Sequence, residues 1–340
     1  MHIPDGYLSP ATAAVMYAAA LPFWYRATQK LKSLVTGRLV PLIALFAAVS
    51  FVIMMFNVPL PGGTTGHAVG SVLAAIVLGP WAAMLAVSVA LIIQALFFGD
   101  GGILAIGANA FNLAIAMPFI GYAIYRFISG SAPTISARRV AAGAIAGYIA
   151  INVAALLTAI ELGIQPMFFR DAAGHALYFP YGLDFAIPAM MLGHLTIAGA
   201  VEAIATAMVL AWLQRTNPHL LEAFNAAQTT PMRISRWAWG GVIALVALTP
   251  IGLLAPGTAW GEWGREELGQ LGLGYIPSGF DKWSSLWSAP IPDYDIPLLD
   301  NPTVAYFLSA VFGVALIVTV LGALGWVIEK FAQRGAAETA

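Results

Sequence analysis

The chain begins MHIPDGYLSP, which places a histidine directly beside the amino terminus. The Met1 amine, the His2 amide nitrogen and the His2 ring Nδ1 can close adjacent five- and six-membered chelate rings around one metal ion. The three nitrogens then lie in one plane, and a second imidazole can complete the square. Planar nitrogen coordination suits Ni(II) or Cu(II), and imidazole also binds Co(II), whereas zinc prefers a tetrahedron. These residue types and their spacing therefore predict a transition-metal chelate.

The competing interpretation is that His2 is an incidental residue in a frayed terminus. The residues that follow it favour order, because Pro4 restricts the backbone and Asp5-Gly6 favours a turn. A secretory signal would begin with basic residues and an apolar run. Here the first Lys or Arg is Arg26, so we expect the terminus to be retained.

His67 is the candidate for the fourth nitrogen. It ends the turn-rich segment NVPLPGGTTGH, just before a predicted helix. A lone loop histidine is more often solvated than metal-bound, so this segment alone leaves both readings open. The other histidines are not predicted as metal ligands. His194 lies in an apolar helix and is predicted to form an interhelical hydrogen bond. Two more lie in polar segments, namely His175 and His219.

Polar residues elsewhere are candidates for supporting roles. The glycine-rich segment FFGDGGILAIGANAFN contains Asp100 and Asn109, and it can line an entrance to the site or simply form turns and close contacts. Asp5 is the nearest carboxylate to His2 in sequence. Glu202 lies well inside an apolar helix, where a carboxylate is functional or a structural hydrogen-bonding group. Asp5, Asp100 and Asn109 are therefore predicted as possible supporting residues.

The composition is that of a membrane protein. Apolar residues make up 60% of the 340 residues and charged residues only 9%, where a soluble domain carries roughly 25% charged residues. Apolar runs recur at about the length that crosses a hydrocarbon core. The net charge of −1 and the lack of a basic patch argue against a nucleic-acid partner. The absence of cysteine excludes disulfides and thiolate metal sites.

Charges and Gly/Pro clusters divide the chain into nine predicted spans. The long apolar stretch 68–98 is split at Gly79-Pro80, because proline disfavours helix in the residue before it. The predicted spans are 10–25, 39–56, 68–79, 80–98, 109–127, 140–161, 185–213, 237–255 and 304–328. We predict an all-α polytopic fold. It consists of a seven-helix domain (1–214), a cytoplasmic linker (215–236) and a helical hairpin (237–340) around an outer loop (256–303).

The basic residues predict the orientation. Twelve of the fifteen Lys and Arg fall in alternate loops, counting from Arg26. By the positive-inside rule these loops face the cytoplasm, so the amino terminus lies outside and the carboxyl terminus inside. Seven of the ten tryptophans lie in the second part of the chain, where interfacial anchoring is favoured over ligand contact.

Several catalytic and nucleotide-binding motifs are absent. The sequence has no GxxxxGK[ST] phosphate-binding loop, no HExxH and no GxSxG. A metal-dependent intramembrane hydrolase is an alternative function, but it needs an open coordination position and a general base. A passive channel is a further alternative, although a chelate holds an ion rather than conducting it.

Two motifs together resemble the CbiM/NikM family. MHIPDGYLSP and the run from PLPGGTTGH through GDGGILAIGANAFN are similar to those of the substrate-binding membrane components of energy-coupling-factor (ECF) transporters for cobalt and nickel. The resemblance covers the seven-helix part. It implies that the metal is held by the Met1 amine, by the backbone and ring nitrogens of His2, and by His67.

The resemblance also implies the function and the partners. The chain is then a transporter component in the prokaryotic cell membrane, not an enzyme, with Ni(II) or Co(II) as its substrate and no cofactor. ATP hydrolysis and coupling are expected on separate ATPase subunits and a separate transmembrane subunit. The carboxyl-terminal part resembles a fused form of the small companion subunit of such systems. Its segment IPDYDIP is weakly similar to the PDG-type motif of that subunit.

Overall fold

A computed structural model describes residues 1–32, 39–60, 64–221, 236–255, 259–270 and 272–338. It consists of helices and one short strand pair. The helices are α1 (Pro10–Lys32), α2 (Val40–Met54), α3 (Ser71–Leu78), α4 (Pro80–Phe98), α5 (Ile106–Ser129), α6 (Ala137–Phe168), α7 (Leu183–Thr216), α8 (Arg236–Leu254), α9 (Arg265–Gln270), α10 (Ser278–Trp283) and α11 (Pro302–Glu338). The antiparallel strands are β1 (Val58–Leu60) and β2 (Thr64–Gly66).

The all-α polytopic prediction is confirmed. Six described helices are long and apolar enough to cross a membrane, and α2 is apolar but shorter. The six are α4, α5, α6, α7, α8 and α11. Each of the nine predicted spans overlaps a helix of the described chain. This multi-helix arrangement makes the chain a multi-pass membrane protein.

The break between α3 and α4 lies where the sequence predicts it. Gly79 separates the two helices at φ 76°, and Pro80 begins α4 because the first helical position needs no N–H. With eight residues, α3 is about 12 Å long, well short of a hydrocarbon core of ~30 Å. The α3 segment therefore cannot cross a membrane alone, and it packs against α4 and α5.

Several helices extend beyond their predicted ends. α1 continues to Lys32 rather than stopping near residue 25, and α11 continues to Glu338 rather than 328. The sequence division ended each span at the first charges, whereas a helix needs only its own backbone hydrogen bonds to continue into a polar region. The error is therefore in the boundaries and not in the existence of the helices.

Small residues allow α6 and α7 to pack closely along their length. A Cβ added at Gly147 of α6 would meet Thr206 Oγ1 at 3.1 Å and Glu202 Cγ at 3.4 Å. Close backbone approach at small residues is the usual basis of helix association in lipid. This contact fixes the position of the Glu202 side chain relative to α6.

The carboxyl-terminal hairpin docks on the first part of the molecule through α2. Both α8 and α11 pack against α2, and Gly313 of α11 lies against the Phe51 ring with no room for a Cβ. The predicted linker 215–236 falls mainly on residues 222–235, which lie outside the described residues, and the chain before it ends in a short turn at Pro218–Leu221. The domain boundaries stay predictions.

The segment between α8 and α11 folds over the first part of the molecule. It contains α9, α10 and a short turn at Pro292–Tyr294. Trp260 packs against Phe179 with ring centroids 5.4 Å apart, and Trp287 Nε1 donates to the Leu96 carbonyl at 2.9 Å. These tryptophans contact protein, a role that the interpretation as interfacial anchors did not include.

Candidate metal centre

The first residues of the chain are buried in the helical bundle. Met1, His2 and Ile3 are 4%, 2% and 0% exposed. Asn109 binds both sides of the Ile3 peptide: its Oδ1 accepts from the Ile3 N–H at 2.8 Å and its Nδ2 donates to the Ile3 carbonyl at 3.1 Å. Gly102 N–H donates to the same carbonyl at 2.8 Å. The terminus is thus docked in the bundle and is not a frayed end.

Asp5 fixes the next part of this segment. Its two carboxylate oxygens accept from the backbone N–H groups of Ile103 and Leu104 at 2.9 and 2.8 Å. Burial raises the pKa of Asp5, against the lowering effect of these hydrogen bonds. Gly102 passes so close to the Asp5 backbone that no side chain fits there. Asp5 therefore holds the terminus in place from some distance along the chain rather than facing His2.

His67 follows β2, at the end of the hairpin formed by β1 and β2. Its Nδ1 lies 3.1 Å from the Ala68 carbonyl, and its Nε2 is buried without a hydrogen-bond partner among the described residues. Burial lowers the pKa of His67 well below its usual value, and the nearby terminal amine and His2 add to this effect. The ring is therefore neutral at physiological pH, which is the form that binds metals.

His2 and His67 lie against each other. Their ring centroids are 4.8 Å apart, with an angle of 43° between the planes. His2 Nδ1 contacts an Asp100 carboxylate oxygen, and His2 Nε2 is buried without a partner among the residues described. The Met1 amine pairs with Glu262 Oε1 at 3.0 Å. The structure thus brings together the three residues predicted as ligands, and it pairs two of their nitrogens with carboxylates.

The Asp100 carboxylate oxygen that does not contact His2 accepts two hydrogen bonds of its own. The Tyr294 hydroxyl donates to Asp100 Oδ2 at 2.5 Å, and Gln94 Nε2 donates to the same oxygen at 3.1 Å. Burial acts to raise the pKa of Asp100, but the His2 ring and the hydrogen bonds outweigh it and hold this pKa well below its usual range. A charged Asp100 therefore lies beside His2.

Tyr294 belongs to the carboxyl-terminal part, in the segment IPDYDIP. It and Asp293 have positive φ values of 61° and 53°, which are uncommon for residues other than glycine. The Tyr294 ring is buried and stacks on Phe98 with centroids 4.7 Å apart. Backbone strain of this kind is maintained only where surrounding contacts compensate for it, so the segment is firmly docked.

A cavity of about 310 Å³ adjoins His67 and Asp100. The carboxyl-terminal part forms one of its walls. Residues lining the cavity from that part include Glu262, Asp293, Tyr294 and Tyr306. Asp293 is exposed whereas His67 is 5% exposed, so the cavity runs from the surface toward the buried imidazole.

The contribution of the carboxyl-terminal part to this site could not be predicted from local sequence patterns. Glu262 and Tyr294 are separated from their partners Met1 and Asp100 by 261 and 194 residues. The IPDYDIP segment is the sequence signal that pointed toward this part of the chain. The structure therefore connects the two parts of the chain at the candidate centre.

One histidine prediction is corrected. His194 Nδ1 bonds the Met190 carbonyl of its own helix at 2.8 Å, because the carbonyl one turn earlier on α7 lies within reach of its ring. This Nδ1 bond lies within one helix, whereas the prediction was a bond between two helices. His175 stacks on Tyr275 with centroids 4.4 Å apart, and His219 is exposed.

The candidate centre differs from the common kind of metal site, in which side chains supply all the protein donors. Among the described residues, no three His, Cys, Asp or Glu side chains form a group with metal-binding spacing. Here the candidate donors are two imidazoles and nitrogens of the chain terminus. Such a site needs an ordered amino terminus, and the contacts of Ile3 and Asp5 supply that order.

The fold is that of a polytopic helical membrane protein, and its buried amino terminus lies beside paired imidazoles, a residue type that commonly binds transition metals. The profile described as cobalt uptake substrate-specific transmembrane region, CbiM, matches residues 2–220, and that of the PDGLE domain matches residues 235–330. The chain belongs to the CbiM family, with a PDGLE extension.

Similar proteins carry the names of transport proteins. The fused nickel transport protein NikMN of Rhodobacter capsulatus is 53% identical, over 95% of this chain and 96% of the relative. The probable fused nickel transport protein LarMN of Lactiplantibacillus plantarum is 44% identical, over 95% and 97%. A crystal structure of a truncated transition metal transporter is 55% identical with a TM-score of 0.60, covering 63% of this chain and 99% of the other. This chain is therefore a component of a transition-metal transporter and not an enzyme, so the hydrolase alternative is excluded.

Proposed function

We propose that this chain is the metal-capture subunit of an ATP-driven ECF-type importer for Ni(II) or Co(II). In this proposal the metal is held by the Met1 amine, the His2 amide and ring nitrogens, and His67. One observation carries the proposal: the amino terminus is buried in the bundle with the His2 and His67 rings 4.8 Å apart. The first residues of most domains are poorly ordered unless they are tied down, and here they are held beside a second imidazole.

The donor nitrogens must rearrange when the metal binds. The Met1 amine pairs with Glu262, and His2 Nδ1 contacts Asp100. To form the planar chelate, the amine leaves Glu262 and the His2 ring turns so that Nδ1 leaves Asp100. The His67 Nε2, which has no partner within the described chain, is available without rearrangement. The bound metal thus takes the place of the two carboxylates as the partner of the Met1 amine and of His2 Nδ1.

Energy coupling is proposed to come from other chains. The sequence has no phosphate-binding loop, so ATP binding and hydrolysis are assigned to separate ATPase subunits and a coupling transmembrane subunit. The distribution of basic residues supports an amino terminus outside the cell and a carboxyl terminus in the cytoplasm. The cavity beside His67 then opens toward the outside, where the metal is captured.

The PDGLE extension is proposed to complete the capture site. It supplies Glu262 beside the Met1 amine, Tyr294 on Asp100, and one wall of the cavity. A hydrated cation that approaches His67 through this cavity passes these groups. The extension therefore belongs to the capture site in addition to packing on α2.

The proposal is tested on purified protein whose amino terminus is verified as unmodified Met1. Metal content is measured by elemental analysis after exposure to Ni(II) and removal of free metal. We expect one tightly held Ni(II) ion and a diamagnetic, yellow-to-orange complex, because planar four-nitrogen Ni(II) is low-spin. An octahedral, paramagnetic Ni(II) spectrum would contradict the proposed coordination.

A further inference from the structure

Glu202 is a fully buried carboxyl on α7, and it is not among the ligands of the proposed metal site. Its Oε2 accepts from the Val69 N–H at 2.8 Å and from the Gly70 N–H at 3.1 Å. These N–H groups lie at the start of α3, where the helix itself provides no acceptor. A carboxylate 133 residues away in the chain therefore satisfies the backbone immediately after His67.

One peptide unit connects Glu202 to the His67 ring. The unit between Ala68 and Val69 donates its N–H to Glu202, and its carbonyl lies 3.1 Å from His67 Nδ1. A carbonyl oxygen can only accept, so this contact is a hydrogen bond when the ring proton is on Nδ1. Nε2 then carries the lone pair, and it is buried without a partner among the described residues.

We propose that Glu202 is a positioning residue that orients the His67 imidazole and fixes its tautomer through this single peptide unit. This inference rests on the proposed function, in which His67 Nε2 binds the metal. Metal-binding histidines usually donate their other N–H to a carboxylate or carbonyl, and hydrogen bonds in a chain polarise one another. Here the carboxylate acts on the carbonyl through the intervening peptide.

The packing of α7 makes Glu202 a fixed point of the molecule. At Gly147, α6 lies so close to α7 that an added Cβ would already meet the Glu202 Cγ at 3.4 Å. A second buried carboxyl, Glu161 of α6, offers a comparison: it accepts from Asn112 Nδ2 at 2.9 Å and makes no hydrogen bond with His67 or its following residues within the described chain. Glu161 thus matches Glu202 in burial and chemistry but lacks the connection to His67.

The test is a double-mutant cycle between Glu202→Met and His67→Ala. Methionine has about the length of glutamate but offers no oxygen to accept from the Val69 and Gly70 N–H groups. Cu(II) is the probe, because the nitrogens of Met1 and His2 can hold it when His67 is absent. Affinity is measured by competition with a chelator of known strength.

We expect Glu202→Met to weaken Cu(II) binding by about 10- to 100-fold, the usual effect of losing an outer partner of a metal ligand. In the His67→Ala background it should cause no further loss, because it acts only through His67. Glu161→Met should change the affinity by less than about threefold. An equal loss from Glu202→Met with and without His67 would show a general structural effect and overturn the proposal.

A measurement on the protein with Glu202 intact covers the case in which Glu202→Met fails to fold. Nitrogen-15 NMR of the ring, assigned with His67→Ala, reports which nitrogen carries the proton in the metal-free protein. We expect the Nδ1–H tautomer, and an Nε2–H tautomer would overturn the proposal. If the unmutated protein holds no metal, the proposed function fails, and the ring tautomer still decides whether Glu202 orients His67.

Discussion

At the scale of single residues, the candidate site depends on His67, whose Nε2 is available to bind a metal ion. His67 Nε2 is buried next to His2 and has no partner in the described part of the chain. Burial without a hydrogen bond is costly for a polar atom, and a bound metal would remove this cost. The remaining donors of the proposed chelate come from the first two residues.

His67→Ala should weaken Ni(II) binding severely. Losing an outer partner of a metal ligand costs about 10- to 100-fold in affinity, so losing a direct ligand should exceed roughly that range. His175→Ala is the matched control, because His175 is an exposed loop histidine stacked on Tyr275. Affinity is measured by chelator competition, and equal values for the two variants would refute the role of His67.

The pH dependence of binding separates His67 from the other donors. Binding at the proposed chelate releases protons from the amine and the His2 amide, so apparent affinity should fall as pH decreases from 8 to 6. Burial keeps the pKa of His67 well below its usual value, so His67 binds no proton in this range. His67→Ala should therefore lower the affinity without changing its slope against pH in isothermal titration. A flat profile for the unmutated protein would favour carboxylate ligands.

The sequence indicated some of these residues and could not indicate others. The chelate at His2 is local chemistry, so it is visible in ten residues, and His67 follows from its place after a turn-rich loop. Glu262 reaches the Met1 amine from 261 residues away, and Glu202 reaches the backbone beyond His67 from α7. No local spacing records such contacts, because they depend on how the helices pack.

At the scale of helices, the carboxyl-terminal hairpin is joined to the first part of the molecule through α2 and α11. Gly313 of α11 faces the Phe51 ring, and Gly325 faces Val40. Both glycines permit an approach that any side chain would prevent. The docked hairpin carries the loop that places Glu262 and Tyr294 at the candidate centre.

Gly313→Val should disturb this docking and lower the stability of the protein. The added side chain overlaps the Phe51 ring, and overpacking of this kind costs about 1–3 kcal/mol. Gly322→Val is the control on the same helix, because nothing lies within 4 Å of a Cβ at that position. The midpoint of thermal unfolding in detergent should fall for Gly313→Val and stay close to the unmutated value for Gly322→Val. Equal midpoints would mean that α11 is not packed on α2 at this contact.

Helix positions were largely predictable, and their ends were not. Apolar runs and the Gly79-Pro80 break identified the helices, because burial in lipid requires both length and apolar composition. α1 and α11 run on past charged residues, since a helix is not obliged to end at the membrane surface. The two short helices α9 and α10 gave no periodic signal, as six residues are too few to show one.

At the scale of the whole molecule, function requires that the candidate centre face the side from which metal arrives. The predicted orientation places the amino terminus and the cavity outside the cell. The same orientation places His175 outside and His219 in the cytoplasm. Both residues are exposed.

The absence of cysteine makes the orientation directly measurable. A single cysteine introduced as His175→Cys should react with a membrane-impermeant maleimide on intact cells. His219→Cys should react only after the cells are permeabilised. The reverse pattern would overturn the proposed orientation, and with it the assignment of the cavity to metal capture from outside.

The central claim is that the amino terminus itself is a metal ligand, and its most direct test is Ni(II) bound by the protein with a free Met1 amine and with a blocked one. Two otherwise identical preparations are compared, one with a tag at the carboxyl terminus and one with an uncleaved amino-terminal tag, each verified by intact mass spectrometry. Blocking converts the amine into an amide, which removes one chelate ring while leaving both His2 and His67 in the chain. We predict tightly held Ni(II) with the planar spectrum in the first preparation and loss of both in the second. Equal Ni(II) content and the same spectrum in both preparations would contradict the claim.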